Sequence, residues 1–236
     1  MNAYIITLLG SLQSLKSQSK LRDSHRKVGN DFELQNWAAT TPEQVDGLLS
    51  EHDLVWTYPW AGDPPNEHEE RRGLTLHPYA TTNEDARIAC FLSHYRLWQH
   101  VVRQGRWIMV FEDDALFTRK LEPETLDIES WGAIGLCDPR GATRKAMAFF
   151  EGARCSAHSD IIETPWVDDD RTVPQGLAGH SAYMIGPALA QALIDEAADI
   201  GCWPNDALMC KQLFPRQLGI TTKFYTTIQH TPSTLA

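Results

Sequence analysis

The chain has 236 residues, a length that suits one large α/β domain and can bury a substantial core without disulfides. Its composition, 42% hydrophobic and 22% charged, is that of an ordinary globular protein. With 31 acidic and 21 basic residues the net charge is −10, which argues against non-specific nucleic-acid binding.

Cysteine content and apolar runs indicate the compartment. The five cysteines contain no CxxC pair, so neither a disulfide framework nor a zinc knuckle is predicted, and a reducing compartment fits best. The apolar run Ala3–Leu9 is too short for a signal peptide, and no stretch approaches the ~20 apolar residues of a membrane helix. We therefore expect a cytoplasmic protein that meets any membrane-borne acceptor from the membrane surface.

The first 80 residues predict alternating strands and helices followed by a loop. Tyr4–Leu9 is predicted to be a buried strand, 12–28 a helix and 32–38 a second strand. Thr41 resembles a helix cap, with proline at the next position and Gln44 three residues later. Residues 57–80 are rich in proline, glycine and charge and predict a loop insertion.

The middle of the chain gives the clearest pattern. Residues 83–104 carry an apolar stripe at helical spacing, with Asn83 as cap and Gly105 as terminator. Residues 107–111 are continuously apolar, which is typical of a strand buried on both faces. Later strands are predicted at 131–137, 146–150, 181–185 and 224–228, and a helix at 187–198. The alternation predicts a single domain, 1–236, with a mixed, mainly parallel sheet flanked by helices.

Three consecutive carboxylates, Glu112, Asp113 and Asp114, follow the apolar strand. Packed carboxylates repel one another unless a cation neutralises them, and ligands of open α/β sheets bind at the carboxyl ends of strands. Side-chain alternation would place Glu112 and Asp114 on one side, where they could hold a hard divalent ion bridging a diphosphate. Such an ion would stabilise the nucleoside diphosphate that leaves during glycosyl transfer. A solvated acidic turn is the alternative.

Several segments resemble one known family. The segments are Arg87–Trp98, Ile108–Ala115, the more loosely matching Gly179–Leu193, and Pro204–Leu208. They resemble the "GC-x-LSH", "EDD", "G-x-x-x-Y-x-I … A-x-x-L" and "P-x-D-x-x-L" patterns of the family 25 glycosyltransferases, which include lipooligosaccharide and collagen galactosyltransferases. The chain departs from the family pattern at Ala89, where glycine is usual, and in lacking an arginine-rich turn at 10–14.

The resemblance implies a GT-A fold, which is a Rossmann-like sheet with the metal motif at a strand end. It implies transfer of a hexose, galactose or glucose, from a UDP-sugar to a saccharide acceptor with inversion. Mn²⁺, or Mg²⁺, would be held by Glu112, Asp114 and His230, since an imidazole beside carboxylates favours Mn²⁺. The residues expected to contact the donor are Thr7, Ser93, His94 and Asp113.

Asp206 is the candidate general base, because an inverting enzyme needs a carboxylate to take the acceptor proton. A helix cap is its alternative role. Pairing with a buried backbone group is the alternative role of His94, and His180 has a loop position that suits acceptor contact. A second acidic cluster, 168–170, lies in a predicted loop and is interpreted as solvated.

Two other functions are compatible with these patterns. A nucleotidyl- or phosphotransferase could use the same acidic strand end, although the chain has no GxxxxGK[ST] loop. A non-catalytic carbohydrate-binding domain could retain the fold without activity. Release of a nucleoside diphosphate, of pyrophosphate or of neither would separate the three.

Overall fold

The computed structural model describes residues 1–62, 70–141, 146–156, 159–167 and 169–229. Its strands are β1 (Asn2–Thr7), β2 (Leu34–Ala38), β3 (Glu70–Arg71), β4 (Leu74–Thr75), β5 (Ile108–Glu112), β6 (Ala115–Phe117), β7 (Ala133–Gly135), β8 (Ile161–Glu163), β9 (Ala182–Ile185), β10 (Leu218–Thr221) and β11 (Thr226–Ile228). Its helices are α1 (Leu12–Lys27), α2 (Val45–Glu51), α3 (Glu84–Gln104), α4 (Ala146–Cys155), α5 (Pro187–Ile200) and α6 (Asn205–Leu208).

The main sheet has seven strands in the order β2-β1-β5-β9-β7-β10-β8. The pairs β2–β1, β1–β5 and β7–β10 are parallel, whereas β9 runs antiparallel to both neighbours and β8 is antiparallel to β10. Five strands therefore share one direction and two oppose it. This confirms the predicted mixed, mainly parallel sheet flanked by helices.

The central strand β5 shows why the sheet needs helices on both faces. Ile108 and Val110 point into a core formed with α2, α3 and α5, while Met109 and Phe111 point into a second core that includes Leu21 of α1. These four apolar side chains of β5 are fully buried. The continuous apolar run predicted such a strand, because alternating side chains of a doubly covered strand enter two apolar layers.

Helix α3 has the ends that its sequence predicted. Asn83 accepts a hydrogen bond from the Ala86 N–H at 3.0 Å, and acidic residues follow in the first turn. Gly105 ends the helix in the left-handed conformation, with φ of 63°. These caps fix the position of α3 against the sheet, and its turns between residues 86 and 94 therefore face the ends of the strands.

The other predicted elements are found with small shifts, apart from one error. Gln44 accepts a hydrogen bond from the Thr41 N–H at 2.9 Å, as the predicted helix start requires. Residues 146–150, predicted to be a strand, belong to α4 instead. Phe149 and Ala153 are its buried residues, four positions apart, as on one face of a helix, while Met147 of the apolar run is exposed.

Within the predicted loop insertion at 57–80, the described residues form more than an irregular loop. Strands β3 and β4 form a short antiparallel ladder, and Trp60 is bridged to Tyr79. Trp60 also stacks on Trp56 with ring centroids 4.9 Å apart. The aromatic contacts hold this segment beside α3, where it borders the site described next.

None of the helices in the described ranges combines the length and the apolar character that a membrane span requires.

Candidate functional site

The carboxyl ends of β1, β2 and β5 meet at one edge of the sheet. Ile6 of β1 lies opposite Glu112 of β5, and Thr7 lies opposite Ala38 of β2. The strand that follows β1 in the chain, β2, pairs on one side of β1, and the later strand β5 pairs on the other side. The direction in which strands are added to the sheet therefore reverses at β1. Helices α1 and α3 pack on opposite faces there and leave the crevice in which open α/β sheets bind ligands.

Two cavities open at this edge. The first, named the β1–β2 cavity, has a volume of about 140 Å³ and is lined by strand ends and by α3. Its lining residues include Leu8, Ala39, Ser93, His94 and Asp113. The second, named the Asp206 cavity, has a volume of about 320 Å³ and is lined by Tyr79, Arg87, Leu177, His180, Asn205 and Asp206, among others. Glu112 and Cys90 line both cavities.

Glu112 is held from behind by a chain of buried hydrogen bonds. Its Oε1 lies 3.2 Å from His94 Nε2, and His94 Nδ1 lies 2.8 Å from the Tyr183 hydroxyl. That hydroxyl also accepts a hydrogen bond from the indole N–H of Trp98 at 3.2 Å. The side chain of His94 is 1% exposed and that of Glu112 is 32% exposed, so the chain leads from the core to the cavity wall.

The acidity of Glu112 follows from these contacts. Burial works to raise the pKa of Glu112, but the hydrogen bond with His94 and nearby positive charge outweigh it and hold the pKa below its usual value. Glu112 is therefore a carboxylate at neutral pH. Its negative charge contributes to the raised pKa values of the two acidic residues that follow, Asp113 and Asp114.

The pKa values of Asp113 and Asp114 are shifted upward, opposite to that of Glu112. Burial, reinforced by the charge of Glu112, raises the pKa of Asp113 to about 6 despite the hydrogen bond donated by the Ser14 hydroxyl. Burial and the charges of Glu112 and Asp113 raise the pKa of Asp114 to about 7. Among the described residues, Asp114 Oδ1 has no hydrogen-bond partner although it is buried. The turn thus concentrates negative charge that its described neighbours do not neutralise.

Residues 113 and 114 form a turn between β5 and β6, so the strand ends at Glu112. The predicted alternation, with Glu112 and Asp114 on one side and Asp113 on the other, therefore does not apply. Instead Glu112 and Asp113 line the same β1–β2 cavity. Gln229 holds the turn in place with two hydrogen bonds. Its backbone N–H donates to the Asp114 carbonyl oxygen at 2.7 Å, and its side-chain amide donates to the Asp113 carbonyl oxygen at 3.3 Å.

The Asp206 cavity contains polar atoms that lack partners within the described part of the chain. They are Arg87 Nε, Asn205 Oδ1 and both ring nitrogens of His180. His180 is 8% exposed, and burial lowers its pKa to about 4, so its imidazole is neutral at physiological pH. Buried polar groups are normally paired, so these atoms indicate that the cavity receives a polar ligand.

Asp206 is exposed at the second position of α6 and faces this cavity. The helix begins at Asn205 after Pro204, and no side chain makes a capping hydrogen bond there. The capping role that the sequence left open for Asp206 is therefore not seen. Asp169 and Asp170 of the second acidic cluster are exposed, as predicted for a solvated segment, while Asp168 lies outside the described residues.

Three other residues predicted to contact the donor or the metal differ in where they lie. Ser93 lines the β1–β2 cavity, but its hydroxyl accepts from the Thr40 N–H and donates to Ala89 O, so it also joins α3 to the end of β2. Thr7 is fully buried and its hydroxyl bonds Gln18 and Ile5 O, so its contact with a donor stays a prediction. His230 lies outside the described residues.

Sequence reasoning missed three residues of this site. Cys90 lies one helical turn before His94 and joins His94 and Glu112 in a cluster whose ligand atoms are within 4.8 Å of one another. The i, i+4 spacing of Cys90 and His94 could have revealed this. Ser14 had no comparable signal, because its partner Asp113 lies in a distant part of the chain, and no local spacing marked Arg87.

The comparison with protein families gives one match. A family described as glycosyltransferase family 25 (LPS biosynthesis protein) matches residues 76–209, which is more than half of the chain. The matched segment contains Cys90, Glu112, His180 and Asp206. Comparison with curated proteins gives no match.

Several solved structures align with this chain at low identity. A galactosyltransferase, LgtC, solved with donor and acceptor sugar analogues, aligns over 98% of this chain and 88% of its own, with 8% identity and a TM-score of 0.47. The bifunctional glycosyltransferase WbbM aligns over 92% and 38%, with 10% identity and a TM-score of 0.46. Mouse xyloside xylosyltransferase 1 aligns over 92% and 83%, with 10% identity and a TM-score of 0.43. Likeness this distant does not identify a substrate.

Proposed function

This chain belongs to glycosyltransferase family 25, and we propose that it transfers a hexose, galactose or glucose, from a UDP-sugar to a saccharide acceptor. The proposed reaction depends on a divalent metal, Mn²⁺ or Mg²⁺, and inverts the anomeric centre. It takes place in the cytoplasm, and an acceptor carried on a membrane would be reached from the membrane surface.

One observation carries the proposal. The Glu112 carboxylate lies in the wall between the β1–β2 cavity and the Asp206 cavity. Transfer between two bound molecules requires two adjoining sites whose reacting groups meet at one point. In this proposal the nucleotide occupies the β1–β2 cavity, the acceptor occupies the Asp206 cavity, and the sugar passes beside Glu112.

The acidic turn fits a hard divalent ion. It offers carboxylate oxygens, the ligand type that Mn²⁺ and Mg²⁺ accept, and Asp114 Oδ1 is buried without a described partner. Burial and the neighbouring carboxylate charges raise the pKa values of Asp113 and Asp114, and a cation would neutralise those charges. Glu112 and Asp114 are the proposed ligands, with Asp113 toward the donor. His230 follows Gln229, which is bonded to the turn, and is the proposed third ligand.

Such an ion would supply positive charge to the diphosphate as it leaves. The chain's own residues perform the remaining tasks. Asp206 takes the proton of the attacking acceptor hydroxyl, and the unpartnered nitrogens of His180 hold the acceptor by hydrogen bonds. His94, fixed by Tyr183, keeps Glu112 ionised and oriented toward the cavities. Thr7 and Ser93 complete the proposed contacts with the donor.

The first experiment is calorimetric titration of UDP into the purified protein, with and without Mn²⁺. We expect binding that requires both the metal and Asp114, so the Asp114→Asn variant should lose the metal-dependent part. Asp169→Asn is the matched control, because Asp169 is an exposed aspartate outside both cavities. UDP binding that ignores Mn²⁺ and is the same in both variants would contradict the metal assignment.

Product analysis then separates the alternatives. Sugar transfer releases a nucleoside diphosphate from the donor, whereas nucleotidyl transfer releases pyrophosphate. A carbohydrate-binding domain without activity would bind saccharide and show no nucleotide affinity. We expect UDP as the only nucleotide product, and pyrophosphate release would overturn the proposed reaction.

A further inference from the structure

Three side chains of different chemistry meet at the wall between the two cavities. Cys90 and His94 are separated by one turn of α3, and Glu112 ends β5. One thiol sulfur, one imidazole nitrogen and one carboxylate oxygen lie within 4.8 Å of one another. Helix α3 is fixed by its caps and β5 is the central strand, so the three groups are held by rigid elements.

The spacing is close to that of a metal-bound set. Four-coordinate zinc has Zn–S distances of about 2.3 Å and Zn–N and Zn–O distances of about 2.0–2.2 Å, which places neighbouring ligand atoms roughly 3.3–3.6 Å apart. His94 Nε2 and Glu112 Oε1 are already 3.2 Å apart. Rotation of the Cys90 side chain, closing by about 1 Å, would therefore complete the arrangement.

The surroundings resemble those that metal-binding histidines require. A ligating histidine usually bonds its second ring nitrogen to a fixed partner, which sets the tautomer. His94 Nδ1 has such a partner in the Tyr183 hydroxyl, which is itself held by Trp98. Nε2 is then the nitrogen that faces Glu112 and the cavities.

A further imidazole lines the same cavity as two members of the cluster. His180 lines the Asp206 cavity together with Cys90 and Glu112, is 8% exposed, and has no described partner at either ring nitrogen. A buried neutral imidazole without a hydrogen bond is rare unless something binds it. It would bring the set to one sulfur, two nitrogens and one oxygen.

We propose that Cys90, His94 and Glu112, with His180 as the fourth group, form a binding site for a borderline transition-metal ion, of which Zn²⁺ is the preferred occupant. Thiolate and imidazole ligands favour Zn²⁺ over Mg²⁺ and Mn²⁺, whereas the carboxylates of the 113–114 turn favour the reverse. Binding converts the Cys90 thiol to a thiolate and releases its proton to solvent. The two proposals share Glu112 and His180, so zinc here would compete with the role of Glu112 beside the donor and with the contact of His180 to the acceptor.

This inference does not depend on the proposed function, since metal binding can be measured without donor or acceptor. The probe is Co²⁺, which replaces zinc in such sites and gives a sulfur-to-cobalt charge-transfer absorption only when a thiolate is bound. We expect the full-length protein to show this band with one Co²⁺ per chain. Zn²⁺ should abolish the band, and Mg²⁺ in the same excess should leave it unchanged.

The matched variants are Cys90→Ala and Cys202→Ala. Both remove a free cysteine with little exposure, but Cys202 lies outside the cluster. Cys90→Ala should lose the band, Cys202→Ala should keep it, and Glu112→Gln should weaken Co²⁺ binding by more than the roughly 10–100-fold that loss of an outer-shell partner costs. A band that survives in Cys90→Ala, or cobalt binding without any band, overturns the proposal.

X-ray absorption of the zinc-loaded wild-type protein gives a test that needs no variant. We expect one sulfur neighbour at about 2.3 Å and nitrogen or oxygen neighbours at about 2.0–2.2 Å. A shell of oxygen and nitrogen only would place the ion at the acidic turn and overturn the proposal. If the zinc-free protein failed to bind UDP in the presence of Mn²⁺ while the zinc-loaded protein showed an intact sulfur shell, only the proposed function would be refuted.

Discussion

Asp206 has the features of an acceptor-side base: it is exposed, makes no capping contact and faces the Asp206 cavity. We expect Asp206→Asn to lower kcat by about 10²–10⁴-fold, the usual contribution of general acid–base catalysis. The amide keeps the shape of the side chain but cannot take a proton. Steady-state kinetics with the donor and acceptor found by product screening would measure the loss.

The matching control for Asp206→Asn is again the exposed Asp169→Asn, which should leave kcat unchanged. UDP affinity should be the same in both variants, because Asp206 does not line the β1–β2 cavity. A kcat of Asp206→Asn within about threefold of wild type would exclude Asp206 as the base, since a lost base costs far more.

The acidic turn predicts an unusual dependence of stability on pH. The pKa values of Asp113 and Asp114 are raised to about 6 and about 7 from ordinary values of 3.8. The folded chain therefore binds protons that the unfolded chain has lost, so these groups lower the free energy of unfolding as pH rises from about 4 to about 7. A divalent ion binds the deprotonated form and should restore stability at the upper end.

Thermal unfolding followed by circular dichroism would measure this dependence. A buried histidine with a lowered pKa, such as His180, makes the free energy of unfolding rise with pH in the same range. The informative quantity is therefore the difference in stability between wild type and Asp114→Asn. The variant should lose less stability than wild type between about pH 5 and about pH 8, and Mn²⁺ should raise its Tm less. Equal pH slopes for the two proteins would contradict the assignment of raised pKa values to the turn.

Which residues of the site could be predicted depended on their sequence context. Glu112–Asp114 were found because three carboxylates at the end of an apolar strand require an explanation. Ser14, which donates a hydrogen bond to Asp113, lies about 100 residues away in a helix without any distinguishing pattern. Contacts of this kind depend on the packing of α1 beside β5, and no local spacing encodes that packing.

At the scale of elements, the end of α3 gives a stability prediction. Gly105 has φ of 63°, a conformation that costs other residues roughly 1–2 kcal/mol, although a Cβ there would meet only open space. Gly105→Ala should therefore lower the free energy of unfolding by ~1 kcal/mol. Urea unfolding followed by circular dichroism measures this directly.

Gly47, inside α2, is the matched glycine. A Cβ there also meets open space, and its backbone is helical, so Gly47→Ala should raise the free energy of unfolding by up to ~1 kcal/mol. The two substitutions are chemically identical and differ only in backbone conformation. Effects of the same sign would show that helix termination, as described for α3, does not depend on the left-handed glycine.

Long elements with complete signals were predictable, whereas short ones were predicted only in part. α3 carries a cap, a stripe and a terminating glycine, and β5 carries an unbroken apolar run. Residues 146–150 are too few to distinguish a strand from the inward face of a helix, and the structure places them in α4. The strands predicted at 131–137, 181–185 and 224–228 contain β7, β9 and β11, whereas the equally short β6, β8 and β10 were missed. Strands of this length gain their stability from pairing with distant strands, which the local sequence does not encode.

At the scale of the whole molecule, the two cavities come from different parts of the chain. The β1–β2 cavity is built from the first two strands and α3, so the N-terminal residues that match no family supply much of its wall. The Asp206 cavity is built from residues between 79 and 206, inside the matched segment. The β5 end joins them. Donor and acceptor recognition should therefore be separable by mutation.

Filling each cavity in turn tests this division. Ala39 is half-buried in the β1–β2 cavity, and Pro204 lines the Asp206 cavity. Ala39→Trp should weaken UDP binding at least tenfold, which is about 1.4 kcal/mol, and leave the KM for the acceptor unchanged. Pro204→Trp should raise that KM and leave UDP affinity unchanged. If Ala39→Trp changed only the acceptor KM, the cavities would have the opposite roles. If each variant impaired both ligands equally, donor and acceptor would share one site, and Glu112 would not lie between them.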